Sequence, residues 1–431
     1  MNMKTYNHNV RNNRLGGSKH QRGVSTVLVA VSLLVLLGFA ALAIDVGNLY
    51  VARNELHNAA DAGSLAGARF LYCEDGSSVN DGTCVEAISS ADQIATTAAQ
   101  ANQSQNSTVE VISARRGHWS FTTREFTASS LTTPPDLTQS TADLDLDLNF
   151  INAVEVVSAR QQTPVETFFA RVLGIDDVDV MARSVAYIGF AGALRPEDVD
   201  QPIAMCRQAL LDGDSYSCDV GRFIPEGDQT GGWTNFEHDD SGATNANDLK
   251  ELICGDGNPN ELRFGEDIAT NNGQVQAAFQ ALYDCWVEET DKERLWSLTL
   301  PVVDCEEGIA PSNPLVGAVN LNIAWIVDQS NKIDDDAPLQ MELPPEDSDG
   351  ISPGTWSNAD PDGVTRWDDF VETMNLRDSD DSLAYWASEP QESGWRQKTI
   401  YFLPSCSYHE PKGQTGGENF GILAQIPVLV D

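Results

Sequence analysis

The stretch from Asn358 to Asp369, "NADPDGVTRWDD", spaces its oxygen donors as a calcium loop does. Laid on the pattern D-x-[DN]-x-[DN]-G with an acid at the twelfth position, Asn358, Asp360 and Asp362 supply side-chain oxygens. Gly363 supplies the turn, Val364 a backbone carbonyl and Asp369 the closing carboxylate. Asn358 replaces Asp and Asp369 replaces the longer, bidentate Glu, and an acidic surface turn such as the nearby "EDSDG" has the same composition. Calcium is the one cofactor for which the sequence offers a site. Other chemistry is thinner. Cys406 and His409 in "CSYH" pair a thiol with a base, but with seven other cysteines in the same part of the chain Cys406 is expected to be oxidised. "WIVDQSNK" imitates the D-x-S-x-S metal site that opens a von Willebrand A domain, with Asp328 and Ser330. Lys332 stands at the last serine position and would repel a divalent ion, so that domain is rejected. G-x-S-x-G, H-E-x-x-H, G-x-x-x-x-G-K-[ST] and G-x-G-x-x-G are absent, so the sequence identifies no enzyme and no small-molecule substrate.

The cysteines carry the remaining chemistry. All eight (Cys73, Cys84, Cys206, Cys218, Cys254, Cys285, Cys305, Cys406) follow the apolar run described next, and there is no C-x-x-C to suggest zinc. An even number in an oxidising compartment reads as four disulfides, among about 105 possible pairings. Closeness in sequence favours Cys73 with Cys84 and Cys206 with Cys218.

What positions these residues begins at the N-terminus. The chain has 65 acidic and 26 basic residues, a net charge of -39, which excludes nucleic acid as a partner of the body. Yet Lys4, Arg11, Arg14, Lys19 and Arg22 precede any acidic residue. Gly23 to Ile44 is then uncharged and as a helix would rise about 33 Å, enough to cross a bilayer. The basic flank places the N-terminus in the cytoplasm and the body outside. An A-x-A pattern at Ala41 and Ala43 offers the alternative of a cleaved signal and a secreted, calcium-dependent adhesin-like module. The run exceeds a usual signal core, however, and the helical pattern resumes four residues beyond Asp45, which favours an uncut helix. There Leu49, Ala52, Leu56, Ala59, Gly63, Ala66 and Phe70 recur at steps of three and four, a seam that can pack on a partner helix or on the chain's own body.

"RGVSTVLVAVSLLVLLGFAALAIDVGNLYVARNELHNAADAGSLAGA", residues 22 to 68, resembles the N-terminal segment of TadG-like proteins of the Flp (tight adherence) pilus assembly system. The matching features are Arg22-Gly23, Ala43-Ile44-Asp45-Val46-Gly47, Tyr50, Arg53 and Leu56 to Ala62, with His57 where Gln is usual. Leu28 stands where related TadE-type pseudopilins carry Glu, so the resemblance implies an accessory membrane protein rather than a fibre subunit. It implies the inner membrane as location, and other pilus assembly proteins or pilin-like helices as partners. The unit around "FFARVLG" resembles the first exported domain of the same family, extending the likeness to about residue 190.

Along the body, "SADQIATTAAQANQSQNS" reads as an exposed helix. "STVEVISARRGHWSF" and "DLDLDLNFINAVEVVSAR" read as alternating strands, the second with Leu144, Leu146, Leu148 and Phe150 inward. Thr163 with Glu166, Pro164 and Gly174 predict a capped helix burying Phe168, Phe169, Val172 and Leu173, followed by a strand over 178–188. Farther on, "DLKELIC" and "VQAAFQALYDCWVEE" read as helices, and "LWSLTLPVVDC" and "VGAVNLNIAWIVD" as buried strands. "NFGILAQIPVLVD" reads as an edge strand. The expected class is α+β: a transmembrane helix continuing into an extended amphipathic helix, then mixed, β-rich, disulfide-stabilised exported domains. The expected divisions are 1–22 (basic tail), 23–44 (membrane), 45–72 (amphipathic helix), 73–195 (Tad-like exported domain) and 196–431 (Cys-containing mixed domain).

Overall fold

A computed structural model of the protein describes residues 21–72, 85–131, 138–213, 215–217, 220–223, 230–238, 246–273, 275–309, 311–328, 337–344, 351–377, 383–384, 398–403 and 411–431. The apolar run and the stretch after it form one unbroken helix, α1 (Gln21–Arg69). No proline interrupts these 49 residues, so nothing breaks the backbone ladder over a rise of about 73 Å. Among the described residues it is the helix long and apolar enough to cross a membrane. Between Val27 and Ile44 its large side chains are open; from Ala52 onward one face is buried.

That face lies on a five-stranded antiparallel sheet. The strands are β1 (Glu110–Ser120), β2 (Glu125–Ala128), β3 (Ala153–Glu166), β4 (Asp177–Tyr187) and, from the far end of the chain, the short strand Val428–Leu429. Their order is Val428–Leu429, β4, β3, β1, β2. A second helix, α2 (Val85–Gln100), packs beside α1 on the same sheet. Ala91, Ala95 and Ala99 are buried in the core it shares with Ala60, Ala68, Val154 and Val156. Alanine spacing of four puts those methyls on one stripe, which corrects the reading of this segment as an exposed helix.

The rest of the chain builds a larger sheet. After β5 (Phe190–Ala193), its strands are β6 (Ile203–Cys206), β7 (Arg222–Phe223), β8 (Gly231–Thr234), β9 (Asp267–Asn271), β10 (Trp296–Val303), β11 (Ser312–Val327) and β12 (Thr399–Phe402). Hydrogen-bonded neighbours run β11-β9-β8-β6-β10 and back to β11, a closed ring, with β12 and β7 added beside β11. Every pairing in the ring is antiparallel except β6 with β10. Helices α3 (Gln276–Thr290) and α4 (Gly363–Met374) cover an aromatic core in which Trp233, Trp286, Trp325 and Trp367 are fully buried. The division near residue 195 is not clean. Gln414–Gly417 pairs with β5, and Val428–Leu429 becomes the edge of the first sheet, so the chain's end closes the unit its beginning opened.

Three local expectations are corrected. Cys206 bonds to Cys305, not Cys218, and Cys254 bonds to Cys285. Parallel pairing places Cys206 opposite Val303, two residues before Cys305, so register rather than closeness in sequence brings the two sulfurs together. Cys73, Cys84, Cys218 and Cys406 lie outside the described residues. "DLDLDL" is not a strand: Ser140 caps a single turn at Thr141–Leu144, and Leu146 and Leu148 are exposed. Its aspartates hold turns instead of alternating in a ladder, Asp145 accepting from the Phe121 and Thr122 amides and the Ser120 hydroxyl at the end of β1. Residues 163–166 belong to β3, so no capping box forms, and only a turn of 3-10 helix, Ala170–Leu173, follows. Gly174 does end it in the left-handed region, at φ 85°.

A candidate site where the apolar helix meets the body

Asp45 is the first charge after the uncharged run, and it is buried at 3% exposure. Its carboxylate accepts from three successive amides of the body, Phe168 at 2.7 Å, Phe169 at 3.0 Å and Ala170 at 2.6 Å. These are the free N–H groups at the start of the 3-10 turn, the donors a helix leaves for an acceptor from elsewhere. One turn on, Asn48 accepts from the Gln105 side chain at 2.7 Å and donates to the Glu166 carbonyl at 3.3 Å. Glu55 takes the Gln105 amide at 2.8 Å, the Ser158 hydroxyl donates to the Leu56 carbonyl at 2.7 Å, and the Ser64 and Ser184 hydroxyls meet at 3.1 Å.

Between these polar stitches the predicted seam is in place but occupied. Ala52, Leu56, Ala59 and Gly63 are buried and Leu49 half-buried, against β3, β4, Val109 and α2. Ala66 is half-buried and Phe70 exposed; Gly67, Ala68 and Leu71 take their places on the buried face. A strict three-four repeat drifts about 20° per heptad from a straight helix, about 60° between Leu49 and Phe70. Of the two surfaces the seam suited, it lies on the chain's own body. The sequence reading missed Asp45 as part of this face, although it stands four residues before Leu49 and so falls on the same stripe.

Beside Asp45 the body projects a short apolar loop, Thr167–Ile175. Phe168, Phe169, Val172, Leu173 and Ile175 are all exposed, Val172 and Leu173 by more than 80%. This overturns the expectation that the four residues 168, 169, 172 and 173 are buried. Phe169, Ala170, Val172 and Leu173 line a groove of about 580 Å³ whose other wall is α1 from Leu37 to Asp45.

The chain between α1 and β4 is what comparison with known families recognises. Residues 23–69 match the Flp pilus-assembly TadE/G-like family, and residues 66–186 match the Tad-like Flp pilus-assembly family. Residues 23–186 are thus a TadG-like Flp pilus-assembly region. The first match ends with α1, and the second covers α2, the loop and four of the five strands of the sheet beneath them. No curated protein and no solved structure matches the chain. Together the two matches span less than half of the chain, and α1, which the first of them covers from Gly23 onward, is among the described residues the helix long and apolar enough to cross a membrane.

Two carboxylates hold the Tad-like sheet. Glu110 takes the amides of Gln161, Gln162 and Thr163 at 2.8–3.0 Å, closing the irregularity in β3 before the apolar loop. Glu155 is 4% exposed and joins Arg115 and Arg183 across β1, β3 and β4; Arg183 also meets Asp431, tying in the last residue. Burial by itself would raise the Glu155 pKa, but the two guanidinium groups hold it below the usual carboxylate value. A depressed folded pKa contributes stability above the unfolded value, about 4.3, that is lost on acidification through the folded one. Glu155→Gln is therefore expected to melt below the parent at pH 7, with the gap closing below about pH 4. An equal gap at pH 7 and pH 3 in thermal scans would contradict this ion-pair account.

The predicted calcium residues are hydrogen-bonded to one another and to the start of α4. The Asn358 side chain takes the Asp360 amide, Asp360 takes that of Asp362, and Asp362 caps α4 by accepting from the Val364 amide. Asp369 accepts from the Trp356 indole at 3.0 Å and the Asn358 amide group at 2.9 Å. Gly363, needed as the sharp turn of a calcium loop, is instead the first residue of α4, so the Val364 carbonyl belongs to the helix ladder. Asp328 is buried at the end of β11, while Ser330 and Lys332 lie outside the described residues. Among the described residues no three His, Cys, Asp or Glu side chains gather as a metal site.

Proposed function

We propose that this chain is a single-pass inner-membrane accessory protein for assembly or anchoring of a Flp-type pilus, acting by protein–protein binding rather than catalysis. Its N-terminus lies in the cytoplasm, following the basic residues before Gly23, and its acidic, disulfide-bonded body lies in the periplasm. The observation that carries this reading is α1 itself. It passes from the uncharged run into the face covered by the Tad-like sheet with only Asp45 at the boundary. A helix seated in this way transmits tilt and rotation of the span to the body, as a flexible linker would not. Partner helices of the assembly machine meet the open run between Val27 and Ile44, and pilus or envelope proteins meet the outer faces of the body. The buried seam is reserved for the body itself.

Inserting Gly-Ser-Gly-Ser between Val46 and Gly47 in a piliated strain tests the reading. Pili are expected to be lost while protein level and carbonate-resistant membrane association are unchanged. Normal piliation would sink the rigid-rod reading. A body recovered from the medium with Ile44 as its first residue would favour the released, adhesin-like form over a membrane anchor.

A further inference from the structure

The Thr167–Ile175 loop has no counterpart in an assembly role alone. It places five exposed apolar side chains within nine residues on an otherwise acidic body, at the one level where α1 changes from uncharged to charged. Its direction is as informative as its composition. The groove it forms with α1 reaches from Asp45 back to Leu37, a rise of about 12 Å along the helix. Val172 and Leu173 therefore stand beside residues of the uncharged run itself, below the exit at Asp45. Arg171 donates to the Thr167 carbonyl at 2.9 Å and pairs with Glu166 at 3.7 Å, with its side chain half exposed. A long cation at the rim of an apolar tip is suited to the headgroup layer, where arginine keeps its stem in apolar surroundings and its charge in the polar zone. The Asp45 carboxylate, bound to the loop's own amides, fixes this tip against α1.

We propose that Thr167–Ile175 is a second membrane contact, with Phe168, Phe169, Val172, Leu173 and Ile175 set in the acyl region of the leaflet nearest the body. Lipid chains fill the groove between the loop and α1. The proposal rests on the reading of α1 as a membrane span. Apolar side chains of this kind settle about 5–10 Å into the boundary between headgroups and acyl chains, a depth that fits within the reach of the groove along α1. One helix alone leaves a body free to tilt over the bilayer; a helix and an inserted loop fix two points and hence an orientation.

The test uses a photo-crosslinking amino acid placed in the full-length chain in its native membrane. Leu173 is probed first and Val172 independently, both exposed enough to accept the probe without refolding the loop. Leu36 in the open run and Ile112 on the body serve as references. Phospholipid adducts are expected at Leu173 and Val172 in yield comparable to Leu36, with none at Ile112. Adducts at Leu36 but none at either loop position would overturn the second contact while leaving the span intact. Failure at Leu36 as well would overturn the membrane reading of α1 on which both depend. Protein adducts in place of lipid at Leu173 and Val172 would assign the groove to a partner's helix and overturn the lipid proposal.

Discussion

Replacing Cys206 and Cys305 together by alanine is expected to destabilise the body by about 4 kcal/mol and to lower its melting temperature by roughly 8–16 °C. The bond closes a sequence separation of 99 residues and sits on β6 and just after β10, where the ring makes its one parallel pairing. Without the crosslink the denatured chain regains the entropy of that loop, and the parallel pair has no short connection to hold its register. The second bond, Cys254–Cys285, spans 31 residues nested inside the first, and chain entropy alone makes it worth about 1 kcal/mol less. Thermal scans of the detergent-solubilised protein with each pair replaced are therefore expected to rank the two in that order. An unchanged melting temperature on losing Cys206–Cys305 would show that the ring is held by packing alone. The same dependence ties the fold to its compartment, because these bonds persist only where thiols are oxidised.

How far the sequence discloses this architecture depends on the range of the interaction concerned. Signals that act within one element are legible: the uncharged run and the helix continuing beyond it, α3, β10, β11, Gly174 as a cap and the edge strand signalled by Pro427. Signals that depend on what another element presents are not. Cys206 has a near neighbour in sequence, but strand register hands it to Cys305. "DLDLDL" has the period of a strand, but its aspartates find backbone amides closer than any ladder. "FFARVLG" has apolar residues enough for a buried helix, but among the described residues only α1 flanks them, and Phe168 and Leu173 stay open. The candidate site is legible in part. The periodic face over 49–63 follows from spacing alone, whereas the role of Asp45 requires the three amides of residues 168–170, more than 120 positions away.

Gly67→Leu is expected to unseat α1 from the Tad-like region, and Gly47→Ala in the same helix to leave it unharmed. At Gly67 even a methyl would stand 2.8 Å from the Ala95 methyl, 2.9 Å from Val154 Cγ1 and 3.1 Å from the Ala91 carbonyl. Alanine side chains and a helix backbone have no flexible end to swing away, so α1, α2 and β3 would have to separate. Overpacking of this kind costs about 1–3 kcal/mol for a small excess, and leucine adds three further carbons to it. Helix propensity runs the other way, since replacing glycine in a helix interior gains up to about 1 kcal/mol, too little to offset the clash. Gly47 has nothing within 4 Å of the same methyl position, so there the propensity gain stands alone and the variant is expected to match or slightly exceed the parent. The pair thus separates the seat of the helix from the helix itself. Limited proteolysis is expected to cleave α1 between the span and the body in Gly67→Leu but not in Gly47→Ala. If the seated rod carries function, piliation fails only in the first. Full protection and normal pili in Gly67→Leu would mean that the close approach of α1, α2 and β3 is not what fixes the body over the membrane.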